Sequence, residues 1–404
     1  MIDPNGTLSS LILIRLVRQW ITWDNTKNGG LLLQGSNQWD DENNNNNNNP
    51  NLPWRKPFPS MELDSVIDTL ASVQWSSSSH SLEAAIEGIK AASTLSRVVP
   101  SQSIDVWEPL IQQLHQQADQ IVTDLEPHHL SGLAWSMAGF QFVHANKDQA
   151  KEKEEKEKRR NHNHQNPNGN DNRLWTLPSI LQEAYNDLNL PFWIHPGFLL
   201  TETNIRNNLS VETLTGQVDF QRDAIVTSSD RVVQERRQTA WEGDDHVAAF
   251  AYSGKSMERR PWSPIVHMVR QSLWEKTGQY YDGCLINLYP NGESGMRYHI
   301  DPDQGTLWGY ETAVVSIGST RPFAFREIVP ATGDDQRRRR RQRQRQPEMD
   351  GKSKPHTFYV LHGDVTEMFD DCQQRFQHTV KTGIDKSEVA PRCSLVFKKT
   401  LKSS

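Results

Sequence analysis

The sequence predicts an α+β chain in two parts, a helical N-terminal region followed by a strand-rich C-terminal region of sandwich or jelly-roll type. Three observations predict it. Apolar residues recur at helical period before about residue 145, short alternating segments replace them after about Gln217, and low-complexity tracts separate the two.

In the helical part, Leu63, Val66, Ile67 and Leu70 fall at i, i+3, i+4 and i+7, and Leu110, Leu114, Ala118, Ile121 and Leu125 repeat the one-sided pattern. The stretch "HLSGLAWSMAGF" (129–140) resembles one unit of the helical repeats found in RNA-binding organellar proteins. Stable solenoids need several such units, so residues 61–145 are expected to form a small bundle, able to dock a protein or RNA partner. His128 and His129 read as capping or surface residues at a helix start.

Residues 1–60 read as a disordered tail around the run Asn43–Asn49, and 146–172 as a linker too polar to bury a core. His162 and His164 in that linker read as solvated. The remainder, 173–404, is expected to be one domain. It opens with a helix at "LPSILQEAYNDLNL" and continues through "HVAAFAYS", "GCLINLY", "TAVVSIGS", "RPFAFREI", "HTFYVLH" and "PRCSLVFKK", with one clear helix at "IVHMVRQSLWEKTG". Many short strands without strand–helix alternation argue for a sandwich or jelly roll. An insertion at 330–355 interrupts them, and seven arginines between Arg337 and Arg345 give it a phosphate-gripping, nuclear-import or merely solvated role.

The formal net charge is −6, and the part outside that arginine run is more acidic still, so bulk charge does not predict polyanion binding. Three cysteines, Cys284, Cys372 and Cys393, stand far apart, against both a disulfide framework and a thiolate zinc site. No apolar run is long enough to cross a bilayer. The nearest, "SSLILIRLVRQWITW", is interrupted by Arg15, Arg18 and Gln19. The chain is expected to be an intracellular monomer without membrane contact, in the nucleus or cytoplasm, with an organelle as the alternative.

The chemistry concentrates in "CLINLYPNGESGMRYHIDPD" (284–303). If this run ends as a strand, His299 and Asp301 share a face and can hold one ion, with Ile300 turned into the core. "CQQRFQHTVKTG" supplies His378 as a third ligand. Two histidines and one carboxylate suit Fe(II). Zinc accepts the same ligands, but the segment "PRCSLVFKK" favours iron. Alternation there puts Arg392, Ser394, Val396 and Lys398 on one face and Cys393, Leu395 and Phe397 on the other. An inward Arg beside a Ser is costly unless it grips an anion, and a guanidinium suits a carboxylate. His362, followed by Gly363 and Asp364, reads as a turn residue instead of a ligand.

Residues 215–400 resemble the AlkB-like 2-oxoglutarate and Fe(II)-dependent dioxygenases, through "ERRQTAWEGD", "FAYSG", "RRPWSP", "NLYPNGESGMRYHIDPD", "VVSIGSTRPFAFR" and "LHGDVTEMFDDCQQRFQHTVK". The resemblance implies a double-stranded β-helix (jelly roll) and oxidative demethylation of N-alkylated bases in DNA or RNA, using Fe(II), 2-oxoglutarate and O2. It implies His299, Asp301 and His378 as iron ligands and catalytic centre. For 2-oxoglutarate it implies Asn287, Tyr289 and Arg392, with Ser394 and Lys398 beside them. Trp241, Phe250, Tyr252 and Asp303 match positions near the substrate base, where flat rings suit a flipped nucleotide. Trp241 reads equally well as a core residue, and Asp303 as a loop carboxylate.

The nucleic-acid demethylases end in R-x-N-x-T-x-R, whereas this chain has Arg392, Ser394, Val396 and Lys398. Lysine keeps the charge and loses the bidentate fork. Two alternatives therefore stand beside base demethylation: an oxygenase of the same type hydroxylating a protein or small molecule, and a non-catalytic binding protein.

Overall fold

The structure, a computed structural model, describes residues 79–98, 104–159, 172–226, 231–328, 353–382 and 390–401. The spacing over Leu63–Leu70, the Asn-rich tail, His162, His164 and the arginine run lie outside these residues.

Helices α1 (Ser79–Val98), α2 (Glu108–Ile121), α3 (Pro127–Arg159) and α4 (Ser179–Asp187) share one apolar core. Leu110, Leu114, Ala118 and Ile121 of α2 face it as their spacing predicts, and Leu125 packs against its rim. Helix α3 runs through Lys147–Arg159, so the first half of the expected linker is helical. Its sequence explains this: Glu152 precedes Lys156, and Glu154 precedes Lys158, by four residues, the favourable order along a helix. His129 caps α3, its Nδ1 accepting the Glu126 N–H at 3.1 Å, and it is buried instead of lying on the surface.

Strand β1 (Phe192–His195) comes next. Helices α5 (Thr203–Asn208) and α6 (Val211–Gln217) follow it, then hairpin β2 (Ala224–Val226) and β3 (Val232–Gln234). Strands β4 (Gln238–Gly243), β5 (Phe250–Tyr252) and β6 (Lys255–Met257) lead to α7 (Pro264–Thr277) and β7 (Gly283–Tyr289). The chain continues with β8 (Trp308–Gly318), β9 (Arg321–Glu327), β10 (His356–Val360) and β11 (Val365–Met368). Helix α8 (Cys372–Arg375), β12 (Phe376–Val380) and β13 (Arg392–Thr400) complete it.

The strands form an antiparallel six-stranded sheet, β1-β11-β8-β13-β7-β4, and a three-stranded sheet, β10-β9-β12. Between them lie Phe192, Ile194, Tyr289 and Val314 from the large sheet and Phe323, Phe325, Phe358 and Phe376 from the small one. The far face of the large sheet packs Ile286, Leu288, Val315, Cys393, Leu395 and Phe397 under Ile205, Leu214 and Val269 of α5, α6 and α7. The alternation along β13 thus places Cys393, Leu395 and Phe397 outward and Arg392, Ser394 and Lys398 buried on the opposite, inter-sheet face.

The helices are pinned to the sheets. Ser131 Oγ of α3 meets His356 Nδ1 of edge strand β10 at 2.7 Å, and Trp135 packs edge-on against Phe358 at 6.1 Å. A strand edge covered by a helix has no free ladder to offer another chain. Deeper in, Arg97 of α1 ion-pairs with Asp364, both side chains fully buried. Asp364 also accepts the Gly197 N–H at 2.7 Å and the Leu361 N–H at 2.8 Å. Gly363 beside it has φ +81°, and a Cβ there would collide with the Leu200 side chain, so the turn requires glycine.

Arg97→Met is expected to lower the unfolding free energy by about 3–5 kcal/mol, because it strands a buried carboxylate. Adding Asp364→Asn should return part of that, since the carboxamide is uncharged and keeps an acceptor; urea titration measures both. Burial pushes His356 and His362 down to about 4. Their folded-state values lie below the unfolded one, so their contribution is complete above about pH 6.5 and is lost as pH falls towards 4. Each should cost up to about 2 kcal/mol of stability at pH 5. His356→Asn should accordingly lose less stability than the wild type between pH 7 and pH 5.

Candidate active site

His299, Asp301 and His378 come together between the two sheets, with one ligand atom from each lying within 4.8 Å of the others. His299 Nε2 is 3.7 Å, and His378 Nε2 3.6 Å, from the same oxygen, Asp301 Oδ1. The backbone that does this differs from the expected strand. His299 and His378 exchange both backbone hydrogen bonds, at 3.0 and 2.9 Å, in a single isolated bridge, with irregular chain around His299. Ile300 is 49% exposed and does not turn into the core, because one bridge imposes no strand alternation on its neighbours.

Hydrogen bonds around the three side chains fix which atoms converge. His299 Nδ1 sits 2.9 Å from the Arg297 carbonyl, which can only accept, so Nδ1 carries the proton and Nε2 presents a lone pair. Lys398 donates to Asp301 Oδ2 at 2.7 Å, leaving Oδ1 to face the imidazoles. Gln373 Oε1 accepts the Asp301 N–H at 2.9 Å. Burial works against a charged Asp301, yet Lys398 and then the two imidazoles outweigh it and hold the carboxyl well below its ordinary range. Burial, and then His299, pushes His378 down to about 3, and burial also lowers His299. Two neutral imidazoles and an ionised carboxylate oxygen aimed at one point are a donor set for a divalent cation.

Further back along the face of β13 that carries Lys398 lies a group of buried polar side chains. Arg392 is fully buried; one guanidinium nitrogen donates to Ser316 Oγ at 3.0 Å, while Nε and Nη1 are buried with no protein acceptor. Its guanidinium lies 5.3 Å over the Tyr289 ring. Burial pushes Arg392 down to about 10, so it stays charged at neutral pH. Asn287 Nδ2 donates to Ser394 Oγ at 3.3 Å, and Asn287 Oδ1 is buried without a partner. Orphaned buried donors on an arginine are costly unless an anion fills the space, so these residues fit a carboxylate ligand.

The other predicted residues are placed differently. Lys398 is committed to Asp301 and does not stand free for an anion. Trp241 and Phe250, 1% and 2% exposed, stack on each other at 4.7 Å and pack with Trp308, and the Trp241 indole N–H donates to the Ala248 carbonyl. Both rings are packed among Val247, Met257, Leu285 and Trp308. Tyr252 is half-buried and donates to Glu235. Asp303 is exposed in a turn at φ 58°, its carbonyl accepting from Leu307 and Trp308 at 3.0 Å. His362 accepts the Gly318 N–H in the turn before β11, apart from the metal ligands.

Sequence reasoning missed Gln373 and Arg321. Gln373 carries no signal beyond its place in "DDCQQRFQH". Arg321 is fully buried on β9 in alternation with Phe323 and Phe325, and its positive charge adds to burial in pushing Arg392 down. An arginine in phase with two inward phenylalanines was the signal available.

The profile of the 2OG-Fe(II) oxygenase superfamily matches residues 192–397. An uncharacterized protein of Acanthamoeba polyphaga mimivirus is 31% identical over 173 residues, 43% of this chain and 78% of that protein. Human DNA oxidative demethylase ALKBH2 is 28% identical over 170 residues, 41% of this chain and 57% of that protein. Human alpha-ketoglutarate-dependent dioxygenase alkB homolog 3 is 31% identical over 176 residues, 42% of this chain and 53% of that protein. The chain thus spans little more than half the length of either human relative. With a two-histidine, one-carboxylate cluster beside an arginine-floored anion pocket inside the matched span, the chain belongs to the 2OG-Fe(II) oxygenase superfamily as an AlkB-like dioxygenase, a family that requires Fe(II), 2-oxoglutarate and O2.

Proposed function

We propose that this protein removes methyl groups from N-alkylated bases in DNA or RNA, with residues 173–404 forming a double-stranded β-helix around the site and the helices before it bracing that barrel. The observation that carries the reading is the likeness of the matched span to a DNA oxidative demethylase, joined to a three-ligand cluster beside the pocket of Arg392. His299, Asp301 and His378 would hold Fe(II), and Arg392 would take the distal carboxylate of 2-oxoglutarate, with Asn287, Tyr289 and Ser394 beside it. Fe(II), 2-oxoglutarate and O2 together supply the oxidation: 2-oxoglutarate leaves as succinate and CO2, and an N-methyl group becomes N-hydroxymethyl, which releases formaldehyde.

The protein's own part is positioning. Lys398 holds one oxygen of Asp301 and leaves the other beside the two imidazoles, where a metal ion would be bound, and Gln373 fixes the Asp301 backbone. The Arg297 carbonyl holds the His299 proton on Nδ1, so Nε2 is always the free nitrogen. Groups that orient ligands in this way typically change metal affinity by about 10–100-fold when removed. The Phe323 and Phe325 rings lie 5.9 and 6.2 Å from the His378 imidazole and cover it on that side. Asp303, exposed at the mouth in a sharp turn, is the carboxylate available to read the exocyclic edge of a base.

Reconstituted anaerobically with Fe(II) and 2-oxoglutarate, then given O2 and an oligonucleotide carrying N1-methyladenine or N3-methylcytosine, the wild type should form succinate and formaldehyde in equal amounts. His299→Ala should form neither; succinate without formaldehyde would move the substrate to a protein or small molecule. Arg392→Met should raise the KM for 2-oxoglutarate roughly 10–100-fold, the worth of a charge-assisted pair, while leaving Co(II) affinity unchanged in a titration of the apoprotein.

A further inference from the structure

A second polar cleft lies at the end of β7, outside the metal centre. It has a volume of about 280 Å³ and is lined by Arg222, Arg236, Gln238, Pro290, Asn291 and Ser294, with Glu293 at its rim. Both arginines are exposed. Each is anchored to backbone through one nitrogen, Arg222 Nε to the Glu235 carbonyl at 2.8 Å and Arg236 Nη1 to the Glu293 carbonyl at 3.4 Å. Among the described residues neither has a carboxylate partner, although carboxylates are near: Glu235 is already shared by Arg237, Lys255 and Tyr252. The opposite wall is rigid. Asn291 Oδ1 accepts from the Glu293 N–H and from Ser294 Oγ, and Ser294 Oγ reaches the Arg236 carbonyl at 3.3 Å.

We infer that this cleft binds a backbone phosphate of the substrate strand, within about five nucleotides of the methylated one. The inference rests on the nucleic-acid reading above and adds where the strand runs. Two anchored, unpaired guanidiniums facing a concave polar wall present a fork that matches phosphate oxygens, and a phosphodiester carries the charge they lack. The cleft is close to the chemistry: Ser294 in its wall is five residues before His299, so the two stand at most about 17 Å apart even with that chain fully extended. At about 3.4 Å of rise per nucleotide along a stacked strand, the phosphate gripped lies within about five nucleotides of the reacting base. Glu293 opposes the same charge, and the two arginines outnumber it.

The test is binding of a single-stranded oligonucleotide carrying N3-methylcytosine to the full chain by fluorescence anisotropy, across a series of salt concentrations. Arg222→Gln and Arg236→Gln should each weaken binding roughly five-fold and lower the slope of log affinity against log salt by about 0.7, one phosphate contact on a single strand. Glu293→Gln should tighten it. All three should form succinate in the absence of nucleic acid at the wild-type rate, which shows the metal centre intact. Neutral methylphosphonate linkages within about five nucleotides of the modified base should abolish the difference between wild type and the arginine variants. Inorganic phosphate should compete no better than chloride at equal ionic strength, which identifies the ligand as backbone and not a free anion. Wild-type binding with an unchanged affinity and slope in both arginine variants overturns the cleft and leaves the demethylase reading standing. A wild type that binds no oligonucleotide overturns both.

Discussion

The ion pair between Lys398 and Asp301 is the interaction on which the site depends. The two side chains are 1% and 9% exposed and 2.7 Å apart, so removing either would leave the other without its charge partner in a largely enclosed space. The pair sets geometry as well as charge. An ammonium is a point donor and takes one carboxylate oxygen, leaving Oδ1 to the imidazoles, whereas a guanidinium fork is shaped to take both. Lysine at the end of "RCSLVFKK" is therefore consistent with a working metal centre, and the departure from the terminal arginine of the nucleic-acid demethylases leaves the ligand set whole. Position 398 can reach Asp301 because β13 is a central strand, paired on one side with β7 and on the other with β8. The strand that brings Lys398 to the metal cluster also brings Arg392, further back along the same face, to the anion pocket.

The helices before the sheets belong to the same pattern of buried charge. Arg97 reaches across from α1 to neutralise Asp364, whose carboxylate ties the turn before β11 to the backbone of Gly197 and Leu361. Strand β11 pairs with β8, and β8 with β13. A helix pair that buries its own leucines could have been a separate module. A fully buried arginine paired to a carboxylate 267 residues later instead couples it to the sheets, because parting them would leave each charge without its partner.

Legibility followed the range of the interactions. The alternation in β13 was readable because strand faces repeat every two residues, with Cys393, Leu395 and Phe397 in the core on one side and Arg392, Ser394 and Lys398 on the other. The convergence of His299, Asp301 and His378 was readable from their order, even though the strand supposed to carry the first two is an isolated bridge and Ile300 is exposed. What escaped was non-local. Nothing near Gln373 announces that it accepts the Asp301 N–H, nothing near Lys398 names Asp301 as its partner, and Trp241 is packed only because Phe250 and Trp308 arrive from other strands. The first half of the tract read as linker was legible in principle, since its glutamates and lysines are helix formers at helical spacing, but its low complexity masked that pattern.

A protein of formal charge −6 does not attract a polyanion through its bulk field, so nucleic-acid recognition would have to be local. Arg321 and Arg392 are fully buried and so are sealed from a polymer. Arg222 and Arg236, exposed and anchored through one nitrogen each, are open to a chain that runs over the surface. Arg237, next to Arg236 in sequence, is engaged by Glu235 and the Tyr252 ring. The division is one of solvent access: a guanidinium in a dry pocket selects a ligand small enough to enter, and the same group at an open cleft positions a ligand too large to do so. On the proposed reading, acidic bulk charge would favour specificity, because a strand held at only a few arginines would leave readily unless a modified base also fitted the site.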